Sequence, residues 1–211
     1  EKDESLIQVE NKNHLTALQT AIINKHENVV EFLINHGALK NYDDFKIGDL
    51  FMDACRVDNL KIAQILDANC SVPYHKESLT TASYWSLSIS IEMEKKTTWG
   101  DKYMQQACLL ESKELISFLL SKNCNFDHVD LSVNVIKDWN DFMDFLLLNG
   151  IDLSHSINGS APLIVSTINN GNIKRVQKMI SKGAVLNDEI ISKYDCVYSC
   201  CDTGKLDLFE F

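Results

Sequence analysis

Between residues 16 and 38, apolar side chains recur every three or four positions, which is the spacing of one side of an α-helix. Leu18, Ala21 and Ile22 form the first apolar stripe. Thr16 precedes them, and its hydroxyl is suited to capping the amino end of a helix. The pattern therefore predicts a helix that begins after Thr16 and ends at the polar residues that follow Ile22.

A second apolar stripe follows this polar break and predicts a second helix. Its inward side chains are predicted to be Val29, Val30, Phe32 and Leu33. Gly37 then occupies the position where a left-handed residue ends a helix, and glycine adopts that conformation without a Cβ clash. The sequence thus predicts a helix, a tight turn, a second helix and a glycine stop.

The same pattern recurs along the chain at a step of 33 residues. Leu18 and Ala21 recur as Phe51 and Ala54, and Gly150 recurs as Gly183. Because neither helix of one copy can bury its stripe alone, the copies are expected to stack on each other. The predicted copies span residues 11–43, 44–72, 97–124, 125–152, 156–187 and, in part, 188–211, with an insertion over residues 73–96.

These residues resemble the ankyrin repeat, and the resemblance covers about four-fifths of the chain. The first copy keeps Thr16, Leu18, Ala21, His26, Val29, Val30, Leu33, Gly37 and Ala38 of the family pattern, and the fifth keeps Pro162, Leu163, Gly171, Gly183, Ala184 and Asn187. The resemblance implies a single all-α domain over residues 1–211. It would be a solenoid of stacked helix-turn-helix units, with short β-finger loops between them and one 20-residue insertion.

The insertion is open to two interpretations. Apolar residues from Trp85 to Met93 alternate with polar ones, which favours a strand and an enlarged finger hairpin. A degraded helical pair built on Leu79, Ala82, Leu87 and Ile91 is the alternative. Trp99 follows the insertion in a segment that fits the family's finger pattern, so it is predicted at a finger tip. There it would either anchor a partner or cover the apolar side of the insertion.

Acidic residues concentrate in the second copy, where Asp49 is predicted to cap the first helix. The group consists of Asp43, Asp44, Asp49, Asp53 and Asp58. A solvated helix face with helix caps is the favoured interpretation, and a dedicated binding patch is the alternative.

The seven cysteines do not form a metal-binding pattern. Six of them fall where the repeat alignment places small packed residues, as expected of free cysteines that act as small buried side chains. Cys196, Cys200 and Cys201 lie close together, but no ligand-spaced histidine follows them. We therefore expect no metal and a reducing compartment. The sequence also carries none of the common catalytic or phosphate-binding motifs, so we expect no catalytic residue, no cofactor and no small-molecule substrate.

The chain is acidic, with 30 acidic and 20 basic side chains and a formal net charge of −10. This balance argues against a nucleic-acid partner and suits a basic protein partner. No apolar run is long enough to span a bilayer, so no membrane role and a cytoplasmic location are expected. The sequence opens without methionine and stops inside a predicted helix, which favours a piece of a longer protein.

The resemblance implies a protein-interaction module that holds its contact residues on a rigid scaffold. The contacts it implies are Phe45, Lys46, Arg56, Trp85, Trp99, Asp101, Leu109, Leu110, Phe126, Lys137 and Asn158. The alternative is a regulatory or substrate-recruiting arm of a larger enzyme, such as an effector that a pathogen secretes into the cytosol of a host cell. The full-length sequence would distinguish these two functions.

Overall fold

The computed structural model describes residues 7–77, 97–131, 141–153 and 162–204. Within these ranges the regular structure is helical and no strand forms, so the predicted all-α fold is confirmed. The helices are α1 (Ala17–Ile23), α2 (Glu27–Asn35), α3 (Asp44–Arg56), α4 (Leu60–Asn69), α5 (Trp99–Leu109), α6 (Lys113–Ser121), α7 (Asp141–Leu148), α8 (Leu163–Asn169), α9 (Ile173–Ser181), α10 (Asp188–Lys193) and α11 (Cys196–Thr203).

The chain divides into two compact units, Glu1–Asn125 and Phe126–Phe211. In the first unit the helices pair in chain order, α1 with α2, α3 with α4, and α5 with α6. The first helices of the pairs, α1, α3 and α5, pack side by side, and the second helices do the same. The core between the two layers includes Leu18, Ile22, Val30, Leu50, Phe51, Ile62, Leu66, Met104, Leu115, Ile116 and Leu119, each at most 1% exposed.

The predicted ends of the first helical pair are confirmed. The Thr16 hydroxyl accepts a hydrogen bond from the Gln19 backbone N–H, and the Gln19 side chain accepts one from the Thr16 N–H. Gly37 is left-handed, with φ of +86°. Within each helical pair of this unit the turn also uses one left-handed residue, at Lys25, Asp58 and Glu111. The same turn thus recurs in each pair.

The predicted inward face of α2 is wrong at two positions. Val30 is fully buried, but Val29 is 46% and Phe32 54% exposed. At 100° per residue, Val29 and Phe32 lie on one side of the helix, and the neighbouring positions Val30 and Leu33 lie on another. Only the side of Val30 faces the rest of the unit.

Helix α3 begins earlier than its predicted cap. The Asp43 carboxylate, not that of Asp49, accepts the hydrogen bond from the Lys46 N–H at the amino end. Asp49 lies in the middle of α3, where its side chain is half-buried. Because Asp43 caps the helix, the residues from Asp44 to Gly48 form an extra turn before Asp49.

The prediction of a finger around Trp99 is also wrong. Helix α5 begins at Trp99, and Thr98 and Asp101 form a capping box around its first turn. Just before it, Glu77 and Thr98 form an isolated antiparallel bridge. The period-2 stretch from Trp85 to Met93 lies outside the described residues, so both interpretations of the insertion stay predictions.

The loop before the insertion is fastened to the first unit by Tyr74. Its hydroxyl donates a hydrogen bond of 2.8 Å to Oδ1 of Asp67, and its carbonyl accepts one of 2.7 Å from the Gly100 N–H. The Tyr74 ring packs edge-on against Phe51 with 5.4 Å between the ring centres. These contacts attach residues 73–77 to both α4 and α5.

The second unit has its own core. Helix α8 pairs with α9 and packs against α11, and α10 packs against α11. Its fully or almost fully buried side chains include Met143, Leu146, Ile164, Val165, Val176 and Met179. Over the ranges that the structure describes, no helix is long and apolar enough to cross a membrane.

Candidate functional site

The first helices of the first unit share one side that no other described helix covers. Their opposite sides pack on the second helices, so this side remains exposed or half-exposed. We call it the first-helix face and define it by Ile23, Phe45, Lys46, Asp49, Asp53, Arg56, Lys102, Leu109 and Leu110. On α3, Phe45, Asp49, Asp53 and Arg56 recur every three or four residues, which places them in one stripe along the helix, and Lys46 follows Phe45 at its edge.

Large apolar side chains stand exposed at the carboxyl ends of these helices. Ile23 ends α1 and is 41% exposed, and Leu109 ends α5 and is 42% exposed. Arg56 ends α3 at the equivalent position, two residues after Ala54, as Ile23 and Leu109 follow Ala21 and Ala107. Leu110, next to Leu109, is 40% exposed. The stacked helices thus present a row of an isoleucine, an arginine and a leucine pair.

Half-buried charges lie beside this apolar row. Arg56 Nη1 is 2.9 Å from Oδ1 of Asp53. Burial raises the pKa of the Asp53 carboxyl, and Arg56 opposes that shift. Burial also raises the pKa of Asp49, and the neighbouring carboxylate of Asp53 adds to the shift. On α5, burial lowers the pKa of the Lys102 ammonium, against the pull of Asp49. The face is therefore partly desolvated even without a partner.

Trp99 lies beneath the face, in the seam between α3 and α5, and is only 5% exposed. Its ring stacks on Tyr103 with 5.9 Å between ring centres, and Phe45 packs edge-on against it at 5.6 Å. The Lys102 ammonium lies 5.0 Å from the ring centre. Close approach to α3 is possible because Gly48 has no side chain, and a Cβ there would lie 2.5 Å from Cε2 of Trp99.

The structure brings together five of the predicted contact residues and separates the rest. Phe45, Lys46, Arg56, Leu109 and Leu110 share the first-helix face and are exposed. Trp99, Asp101 and Phe126 are at least 91% buried, which corrects the expectation that they would be exposed for a partner. The Asp101 carboxylate is engaged in the α5 cap, where it accepts hydrogen bonds from the Thr98 N–H and hydroxyl. Trp85, Lys137 and Asn158 lie outside the described residues.

Four members of the face were not among the predicted contacts. Asp49 and Asp53 belong to the acidic group predicted as caps and a solvated face, and the sequence analysis gives no role to Ile23 or Lys102. Each of the four lies a few residues before or after the small buried residue of its first helix. This spacing identifies them once the start of α5 is known. The repeat register is therefore the signal that finds this face.

Five of the seven cysteines are buried, packed side chains. Cys55 and Cys108 are fully buried, and burial raises the pKa of the Cys108 thiol to about 12 and that of Cys124 to about 11. Cys201 is exposed. Among the described residues, no group of three or more His, Cys, Asp or Glu side chains is placed to hold a metal ion.

Thiol labelling at neutral pH should therefore be strongly selective. Cys201 is expected to react first with iodoacetamide, and Cys55 and Cys108 only when the first unit unfolds, because the thiolate is the reactive species and burial suppresses it. Mass spectrometry of digested samples taken over time, with and without urea, measures the order in which the cysteines react. Modification of Cys55 as fast as Cys201 in the folded protein would contradict the structure.

Comparison with known proteins agrees with this architecture. Residues 13–45 match the family model for the ankyrin repeat. Among solved structures, the chain is similar to the ankyrin repeat domain of Bcl-3, described as a unique member of the IkappaB protein family. The two share 17% sequence identity with a TM-score of 0.61, over 92% of this chain and 83% of that one. No curated protein sequence matches the chain. The predicted resemblance to ankyrin repeats is thus confirmed.

Proposed function

We propose that this chain, whose fold is that of an ankyrin repeat domain, is a protein-interaction module and binds its partner on the first-helix face. The observation that carries the proposal is the row formed by Ile23, Arg56, Leu109 and Leu110. Its three apolar members are each at least 40% exposed at the carboxyl ends of helices that stack in the order α1, α3, α5, and Leu109 and Leu110 are adjacent in the chain. Adjacent exposed apolar side chains mark binding surfaces more often than isolated ones do.

The composition of the face also supports a protein partner. Specific interfaces combine apolar anchors with arginine and surround them with polar groups. Here Arg56 is held by Asp53, and Phe45 and Lys46 lie further along the same helix. The residues stand on helices whose backs are packed into a core, so binding requires little ordering of the chain.

The test is the double substitution Leu109→Ser and Leu110→Ser. Because both side chains are already exposed, the fold should be retained, while a partner that packs on them should bind at least about tenfold more weakly. Co-precipitation from cells that express tagged wild-type or variant chains, with quantitative mass spectrometry, identifies the proteins whose recovery depends on the pair.

Leu148→Ser is the matched control. Leu148 lies on α7 in the other unit and is 87% exposed, so the same chemical change is made away from the face. We expect the control to recover the same proteins as the wild type. Equal recovery by the double variant, with an unchanged circular dichroism spectrum, would reject the first-helix face as the binding surface.

A further inference from the structure

The first helical pair, α1 with α2, has a second exposed surface, which carries apolar side chains. Val29 and Phe32 lie one helical turn apart on α2 and are exposed, and Ala17 at the start of α1 is exposed as well. We call these three residues the outer side of the first pair. None of them belongs to the first-helix face.

The equivalent positions of the next two pairs are buried. In the register that aligns Ala21 with Ala54 and Ala107, both helices of each later pair have counterparts of these residues. The counterparts of Ala17 and Val29 share complete burial, and they are Leu50, Ile62, Tyr103 and Leu115. The first pair thus exposes positions that the same fold buries one repeat and two repeats later.

The third pair shows what covers these positions. Tyr103, the counterpart of Ala17, donates a hydrogen bond of 3.1 Å to the Gly48 carbonyl on α3, and its ring centre lies 4.6 Å from that of Phe51. Phe118, the counterpart of Phe32, also approaches Phe51, with 6.4 Å between the ring centres. Both side chains therefore pack on the helical pair that precedes their own. The second pair likewise stacks on the first, through α3 on α1 and α4 on α2.

The first pair does not have the character of a terminal repeat. Terminal repeats of a solenoid carry a polar outer face and depart from the family pattern, because one of their sides meets water. Here the outer side presents Val29 and Phe32, and the pair lies within residues 13–45, which match the ankyrin repeat. Both features are those of an internal repeat.

We propose that a further helical pair of the same kind, formed by residues that precede Glu1 in the full-length protein, covers the outer side of the first pair. Its first helix would present an apolar side chain to Phe32, as α3 presents Phe51 to Phe118. The stacking contacts of the first unit join consecutive pairs of one chain, which favours this source over a second copy. The net charge of −10 also opposes association between copies.

Photo-crosslinking in the full-length protein, expressed from its complete reading frame, identifies what covers Phe32. Phe32→benzoylphenylalanine places the photoreactive group on the outer side. After irradiation and digestion, mass spectrometry should find it joined to a residue that precedes Glu1 in the same chain. A mixture of ¹⁵N-labelled and unlabelled chains distinguishes this link from one between copies. Phe118→benzoylphenylalanine is the matched control and should link to α3 or α4, because Phe118 packs on Phe51.

Thermal unfolding of the full-length protein gives a second measurement. Phe32 is 54% and Phe45 36% exposed, so without a covering pair Phe45→Ser should lower the unfolding temperature more than Phe32→Ser. A pair stacked on Phe32 reverses this order, because the ring is then buried. We expect Phe32→Ser to unfold several degrees below Phe45→Ser.

The other outcomes would overturn the proposal. A link from position 32 to a second copy or to a separate protein would instead make the outer side a docking surface for that molecule. The absence of a link while the Phe118 control reacts, a larger loss for Phe45→Ser, or a reading frame that supplies no helical pair before Glu1 would leave the outer side uncovered. The binding test on Leu109 and Leu110 is independent of all these results, since it concerns another face.

Discussion

Trp99→Ala is expected to destabilise the first unit by about 3–5 kcal/mol, which makes it a folding variant and not a binding variant. The ring is 5% exposed and fills the seam between α3 and α5, where it contacts Tyr103, Phe45 and the backbone at Gly48. Its removal leaves a cavity between two stacked helices. A domain has roughly 5–15 kcal/mol of total stability, so the loss is a large fraction of it. Urea unfolding followed by circular dichroism measures the change.

Trp99→Phe and Phe45→Ala serve as comparisons. Phenylalanine keeps part of the ring contact with Tyr103, so Trp99→Phe should lose less stability than Trp99→Ala. Phe45 is 36% exposed, and truncating it should cost less than truncating the buried ring. An unfolding midpoint for Trp99→Ala equal to that of the wild type would show that the seam is not packed as described. Loss of partner binding in this variant would carry no information about the binding face.

Gly100→Ala is the second substitution with a large expected effect, about 1–3 kcal/mol of destabilisation. Alanine has a higher helix propensity than glycine, so at an open helix position the change would stabilise the protein. Here an added Cβ would lie 2.7 Å from the Tyr74 carbonyl oxygen and 2.9 Å from Sγ of Cys124. The same oxygen accepts the hydrogen bond from the Gly100 N–H. The backbone cannot move away without breaking that bond.

Gly48→Ala is the informative comparison, because the obstacle there is the side chain of Trp99 and not a backbone atom. In a Trp99→Phe background, the smaller ring should reduce the loss of stability caused by Gly48→Ala. The loss caused by Gly100→Ala should stay unchanged. The corresponding double-mutant cycle measures this coupling. Equal coupling at both glycines, or a stabilised Gly100→Ala protein, would contradict the packing of residues 73–77 against α5.

Local chemistry explains why the helical pairs were predictable. Thr16 and Gly37 act within a few residues of their own positions, through a capping hydrogen bond and a left-handed conformation. The 33-residue period then identified further copies whose own motifs are weak. These signals do not depend on residues that are distant in sequence. The predicted ends of α1 and α2 therefore agree with the structure.

The candidate site was predicted less well, because exposure depends on neighbours that are distant in sequence. The segment around Trp99 fits a finger pattern, yet Thr98 and Asp101 can equally form a capping box, and that local choice moves Trp99 from a loop tip to a helix. Gly48, 51 residues earlier, then provides the space for its ring. Phe45, Lys46, Arg56, Leu109 and Leu110 are exposed, but Phe45 and Lys46 lie within α3 and not before it, because α3 begins earlier than its predicted cap. Whether a partner contacts them stays a prediction.

The sequence by itself determined the repeated helical pair, the left-handed stop at Gly37, the small residues of the first helices and the acidic charge, since each depends on local conformation or composition. Tertiary structure alone decided which charged and apolar side chains meet on the first-helix face. Stacking of α3 between α1 and α5 half-buries Asp49 and Lys102 and covers Trp99. Desolvation of this kind arises only when separate repeats come into contact, so no single repeat encodes it.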